Sequence, residues 1–208
     1  MALREPAGCT VLLAEGVLSG ATGRYAKTFG DLGSIYADED AYRSMLPALR
    51  DTVVYEVTEF RPSDAPGDMI FGVTRMAPGK VGREFFMTRG HIHAKADRPE
   101  IYYGQAGTGV MLMESPGGEF RTVPIAPQTI CYVPPFWIHR SINTGDTDLV
   151  MVFSYPADSG QDYEVIARSG GMRVRVVDDA AGGWAAVDNP GYRARSPQEC
   201  ERILALAT

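Results

Sequence analysis

Histidine, cysteine and tryptophan are the scarce side chains of this 208-residue chain, at three, three and two copies. Cys9, Cys131 and Cys200 are odd in number, far apart and free of C-x-x-C spacing, so neither a disulfide framework nor a cysteine zinc site is expected. No apolar run approaches the roughly 18 residues that a membrane helix needs. The opening Met1-Ala2-Leu3-Arg4-Glu5-Pro6 has an acid and a proline where a secretory signal is apolar, which points to a cytoplasmic protein with no membrane partner. Basic residues are also outnumbered, 20 Lys and Arg against 26 Asp and Glu for a net charge of −6, and this argues against a nucleic-acid partner. With 45% hydrophobic and 22% charged residues, what remains is an ordinary globular chain able to bury a core.

Short β-rich runs dominate: Val53–Val57, Glu84–Met87, Ile101–Tyr103, Val110–Met113, Ile130–Val133, Leu149–Phe153 and Val174–Val177. Turn signals lie between them, among them Pro78-Gly79, Gly107-Thr108-Gly109, Ser115-Pro116-Gly117-Gly118 and Asn143-Thr144-Gly145-Asp146. This pattern predicts an all-β antiparallel sandwich or barrel. Helical pattern is confined to the ends. Asp38-Glu39-Asp40 opens a helix that Pro47 interrupts, and Ser196-Pro197 caps and starts another. We expect a single domain: residues 1–52 as an arm and helix against the barrel, 53–190 as the barrel, and 191–208 as a helical extension.

His91 and His93 flank Ile92, so in an extended strand both imidazoles share one face. Glu100 follows after six intervening residues, and a hairpin over Ala94–Pro99 would return its carboxylate beside them. His139 ends the stretch Tyr132-Val133-Pro134-Pro135-Phe136-Trp137-Ile138-His139. A lone histidine is usually structural, but three imidazoles and one carboxylate are a plausible ligand set for Fe(II), Mn(II), Ni(II) or Zn(II), one ion per subunit. Tyr102, two residues beyond Glu100, would point into the same cavity. Phe136 and Trp137 are expected to wall the barrel. Between Phe71 and Arg98, Arg75, Lys80, Arg83, Arg89, Lys95 and Arg98 face only Glu84 and Asp97, a local excess of 6 − 2 = +4 that would attract an anion unless its members are simply solvated surface charges.

The order His91-x-His93, Glu100, Gly107, followed by His139 and Asn143, resembles the two motifs of the cupin superfamily, a jelly-roll β-barrel or sandwich. The His-to-Glu gap is longer than the three or four residues common there, and Gln128 and Phe136 stand where the second motif usually has glycine. The long gap and its flanks are similar to the cupin-type phosphoglucose isomerases of archaea and some bacteria. The strings that carry this are Val53-Val54-Tyr55-Glu56-Val57, Pro78-Gly79-Lys80-Val81-Gly82, Glu84-Phe85-Phe86, Tyr132-Val133-Pro134-Pro135, and Tyr155-Pro156-Ala157-Asp158 with Asp162-Tyr163.

That resemblance implies a homodimeric, metal-dependent isomerase of glucose 6-phosphate and fructose 6-phosphate, with Fe(II) first among the candidate ions. It implies His91, His93, Glu100 and His139 as ligands and Tyr55, Thr74, Thr88, Gly90, Tyr102, Tyr155 and Tyr163 as sugar-phosphate contacts. Glu100, the only acid built into the motif, is the expected catalytic acid–base of an enediol route; in the alternative, a hydride route, it is only a ligand. Gln161 stands where the archaeal motif has histidine, and an amide cannot exchange a proton near neutral pH. The competing readings are another metal-dependent cupin enzyme, such as a different sugar-phosphate isomerase or an Fe(II) dioxygenase, and a sugar-binding cupin without catalysis.

Overall fold

The structure, a computed structural model, describes Leu3 and residues 5–206. Met1, Ala2 and Arg4 of the opening stretch, and the last two residues of the expected C-terminal extension, lie outside the described residues. In chain order the strands are β1 (Thr10–Leu12), β2 (Val17–Ser19), β3 (Gly23–Thr28), β4 (Val53–Phe60), β5 (Met69–Met76), β6 (Lys80–Val81), β7 (Glu84–Phe85), β8 (Glu100–Ala106), β9 (Gly109–Glu114), β10 (Phe120–Ile125), β11 (Ile130–Val133), β12 (Ile138–Asn143), β13 (Leu149–Pro156), β14 (Val174–Asp178) and β15 (Trp184–Asp188). The α-helices are α1 (Glu39–Leu49), α2 (Glu164–Arg168) and α3 (Pro197–Leu204), and a 3₁₀ segment spans Phe29–Ile35. No described helix is long and apolar enough to cross a membrane.

All seven β-rich runs of the sequence fall in or overlap strands. Six strands, in the order β11-β8-β13-β5-β4-β3, form the larger layer. The order β10-β9-β12 and the order β15-β14-β7-β6 form the other two main sheets. Met87 and His91 bridge to Ile142 and His139, so the chain between β7 and β8 runs along β12 and closes the layer opposite the six-stranded sheet. Every residue of β12 is buried, as expected for a strand covered on both faces. One apolar cluster reaches from Phe29 through Met111, Ile138 and Met151 to Ile203, and the β1–β2 hairpin covers a second, Leu18, Val73 and Val150, on the outside of the larger sheet. This is the all-β antiparallel sandwich expected from the sequence, with short helices at its periphery.

Two local expectations are corrected. Pro47 does not stop α1, which continues to Leu49; Met45, Leu46 and Leu49 pack on the core, and this outweighs the donor that proline removes from the last turn. Helix is also not confined to the ends, because Asp162 Oδ1 accepts the Glu164 N–H and starts the five-residue α2, too short to leave a periodic signal. Ser196 behaves as expected: its hydroxyl accepts the Glu199 N–H and the Glu199 carboxylate accepts the Ser196 N–H, a capping box with Pro197 at the first helical position.

Gln128 and Phe136 both adopt glycine-like backbone, with φ 69° and 70°. Each follows a proline, and each turn closes from the residue before that proline to the second residue after it: Thr129 N–H donates to Ala126 O at 3.1 Å and Trp137 N–H to Pro134 O at 3.4 Å. This is the pattern of a type II turn, whose third residue must be left-handed. The motif's glycine geometry survives here without glycine. Gly107 keeps it with glycine, at φ 71°, where a Cβ would fall 2.3 Å from Asp148 O. Exposed Gln128→Gly should therefore raise stability by about 1 kcal/mol, whereas Gly107→Ala should cost at least about 2 kcal/mol. Urea unfolding of the two variants checks both signs.

Candidate active site and metal centre

The bridge between His91 and His139 places two strand segments side by side, and β8 enters beside them with Glu100 pointing inward, Ile101 outward and Tyr102 inward. His91, His93, Glu100 and His139 are all buried or nearly so, and their candidate ligand atoms lie within 4.8 Å of one another. Every imidazole meets the same carboxylate oxygen, Oε2 of Glu100: His139 Nε2 at 3.0 Å, His93 Nε2 at 3.3 Å and His91 Nε2 at 4.0 Å.

The opposite ring nitrogens fix orientation. His93 Nδ1 meets Arg98 O at 2.7 Å and His139 Nδ1 meets Trp137 O at 3.1 Å, so the tautomer assigned from these partners protonates Nδ1 and leaves Nε2 as a lone-pair donor. The loop that supplies the Arg98 carbonyl is itself tied down, because Asp158 accepts from Lys95 Nζ and Arg98 Nη2, each at 2.8 Å. Buried His91 Nε2 and His93 Nε2 have no hydrogen-bond partner. Orphaned imidazole nitrogens converging on a carboxylate fit a divalent ion better than they fit a polar network.

Electrostatics agree. Burial, helped by His139, holds the His91 pKa well below its usual value, which keeps that imidazole neutral and available. Burial also pulls His93 down, but the neighbouring Glu100 carboxylate and the Arg98 carbonyl outweigh this and leave it raised. Burial would raise Glu100, yet His139 and His93 hold it well below the carboxylate range. Tyr102 is raised well above a free phenol, first by burial and then by Glu100, so it stays protonated.

Tyr55, Thr74, Thr88, Gly90, Tyr102, Tyr155 and Tyr163 all line one cavity together with His91, Glu100 and His139. His93 sits behind this wall with its ring 5.5 Å from that of Tyr155. Gly90 is required by closeness, since a Cβ there would fall 2.9 Å from both His139 O and Arg140 Cβ. Gln161 also lines the cavity and accepts the Tyr163 hydroxyl. Phe136 and Trp137 pack on the core and do not line it, as expected.

Sequence reasoning missed Tyr25, Glu59 and Arg140, which line the same cavity. Glu59 was within reach: Tyr55, Val57 and Glu59 alternate along β4, so period two puts them on one face. Arg140 carried the weaker signal of a lone charge between Ile138 and Ile142. The +4 segment is not the anion funnel that its composition suggests. Arg75 faces Glu56 and Asp148, Lys80 and Arg83 both engage Asp178, and Lys95 and Arg98 share Asp158. Among the described residues Arg89 forms no ion pair and instead lies over the Tyr163 ring at 4.8 Å.

Comparison with known proteins follows the same residues. The family described as "Glucose-6-phosphate isomerase (GPI)" matches residues 26–193. A "Putative glucose-6-phosphate isomerase 1" of Rhizobium meliloti (strain 1021) is 63% identical over 93% of this chain and 90% of its own length. A "Glucose-6-phosphate isomerase" of Thermococcus kodakarensis is 42% identical over 93% of this chain and 100% of its own. Among solved structures, a recombinant oxalate oxidase in complex with glycolate superposes with a TM-score of 0.44 at 20% identity, covering 52% of this chain and 54% of that one. By the extent of the first match and the identity of the relatives, the chain belongs to the glucose-6-phosphate isomerase family.

Proposed function

We propose that the chain interconverts glucose 6-phosphate and fructose 6-phosphate, using a divalent ion, Fe(II) first among the candidates, held by His91, His93, Glu100 and His139. The observation that carries this reading is the division of labour within one carboxylate. All three imidazoles face Oε2 of Glu100, so an ion among them would engage Oε2, and Oε1 is assigned to the proton. A bound ion supplies polarisation of the sugar carbonyl and stabilises charge on the neighbouring oxygen. Glu100 then removes the C2 proton of glucose 6-phosphate through Oε1 and returns it at C1, while the O2 hydroxyl proton passes to O1 as the carbonyl moves from C1 to C2. Ligation lowers the basicity of a carboxylate, and the separate oxygens reduce that conflict. Tyr102, kept protonated, donates to Glu100 and fixes its plane. Gln161 holds a hydroxyl in place and moves no proton.

Tyr55, Thr74, Thr88, Gly90, Tyr155 and Tyr163 are the proposed sugar-phosphate contacts. The soluble substrate accords with a cytoplasmic location. We further infer a homodimer through the outer face of the six-stranded sheet. Tyr132 of the edge strand β11 pairs in register with Ile101 of β8, and Ile101, Ile130 and Tyr132 are 45%, 68% and 53% exposed.

A coupled assay of glucose 6-phosphate formation from fructose 6-phosphate, with and without chelator, tests the function: activity should vanish on chelation and return with Fe(II). Glu100→Gln should keep measurable ion but lose on the order of 10³ in kcat. Turnover in deuterated water should place deuterium at C1 or C2; complete absence of label in product would replace the proton route with hydride transfer. Protons compete with the ion for imidazole. Because the His93 pKa is raised and the His91 pKa is lowered, His93 protonates before His91 as pH falls, and ion affinity by equilibrium dialysis should weaken as pH drops through the His93 pKa, which lies above the ordinary imidazole value. Tyr132→Lys should shift the light-scattering mass toward the monomer while leaving ion content unchanged.

A further inference from the structure

Arg140 is the one large charge in the cavity wall whose partners do not account for it. The residue is 6% exposed, in the middle of a strand buried on both sides. Its Nη2 donates to Arg89 O at 2.5 Å, and its Nη1 meets only the thioether sulfur of Met87, at 3.0 Å, which is a weak acceptor. Its Nε is buried with no hydrogen-bond partner. Among the described residues no carboxylate comes within ion-pair distance. The contrast with its neighbours is chemical. Arg175 meets Glu84 at 2.6 Å and Arg195 meets Glu114 at 2.6 Å, so the other well-buried guanidinium groups each have an acid. Burying a guanidinium without a counter-charge is strongly unfavourable, and an anion entering the cavity would supply the charge that the protein does not.

The surroundings fit an anion. Thr88 and Ser141 are cross-linked by two hydrogen bonds, Thr88 N–H to Ser141 O at 3.0 Å and Ser141 N–H to Thr88 Oγ1 at 3.1 Å. The second uses the threonine oxygen as acceptor and leaves its O–H free to donate. Gly90 packs against Arg140 Cβ with no side chain to block approach. Neutral donors alone balance a phosphate dianion poorly; a fixed, permanently charged fork beside them balances it well.

We propose that Arg140 is the phosphate anchor of this cavity and the residue that makes phosphorylated sugars, rather than free sugars, its ligands. The assignment deepens the isomerase reading and rests on it for the identity of the sugar, but the anion site itself can be tested without turnover. The test uses the iron-loaded protein titrated calorimetrically with inorganic phosphate, beside fructose 6-phosphate kinetics, for wild type, Arg140→Met and Arg140→Lys. Methionine matches the stem in volume and removes the charge, while lysine keeps the charge and loses the fork.

Arg140→Met should weaken phosphate binding and raise KM for fructose 6-phosphate by at least about tenfold, with a smaller change in kcat and unaltered iron content. Arg140→Lys should recover part of both. If methionine proves too disruptive to fold, lysine alone decides: phosphate affinity or KM within about twofold of wild type overturns the anchor. Phosphate binding by Arg140→Met within about twofold of wild type, or no phosphate binding by wild type at all, also overturns it. Wild type that binds phosphate through Arg140 yet fails to isomerise would sink the isomerase reading and leave the anchor standing.

Discussion

A single carboxylate oxygen, Oε2 of Glu100, lies where three imidazoles converge in a space that water barely reaches, and the rest of the architecture follows from keeping it there. Glu100 is the first residue of β8 and pairs with Val133 at the end of β11, so its position is set by ladder register rather than by its own side chain. His91 and His139 are set the same way, by the bridge between their backbones. The rings of His93 and His139 are turned by loop carbonyls, Arg98 O and Trp137 O. A charged group at such depth is tolerable because the imidazoles and a cation compensate it, and this demand explains why Glu100 and His139 are held in strands and His91 by a backbone bridge to His139.

The same logic sorts the other buried charges. Glu84 takes Arg175, Glu114 takes Arg195 together with the Arg173 N–H, and Glu56 takes Arg24 and Arg75. These pairs join distant parts of the chain, such as the segment before α3 to the end of β9. Arg140 departs from the scheme while sitting at the site wall, where an unmatched charge has a use.

Much of this was legible in the sequence, for reasons that differ by residue. The histidines and Glu100 were readable because ligand chemistry allows few residue types and strand periodicity fixes their faces. The seven expected contact residues came from a family pattern, and all seven do line one cavity, although nothing in their own chemistry distinguished them from other residues of their types. What escaped depends on partners far along the chain. The basic segment looked like an anion funnel because Asp148, Asp158 and Asp178, its neutralising acids, lie 73 or more residues beyond Arg75 in sequence while touching it or its neighbours in space. Pro47 misled because packing of the last helical turn is a tertiary fact. Arg140 was overlooked because a desolvated guanidinium is informative only once its missing counter-charge is visible.

Asp158 also bears on how such a site could be moved or inherited. It lies well outside the stretch from His91 to Asn143 that holds the ligand motifs, yet it grips Lys95 and Arg98, and the Arg98 carbonyl orients His93. The extra length between His93 and Glu100 is thus accommodated by a clamp encoded on another strand end. The ligand stretch is not a self-sufficient cassette: transplanted into a cupin with a short His-to-Glu gap, it would carry its four donors but leave behind the residue that keeps one of them aimed.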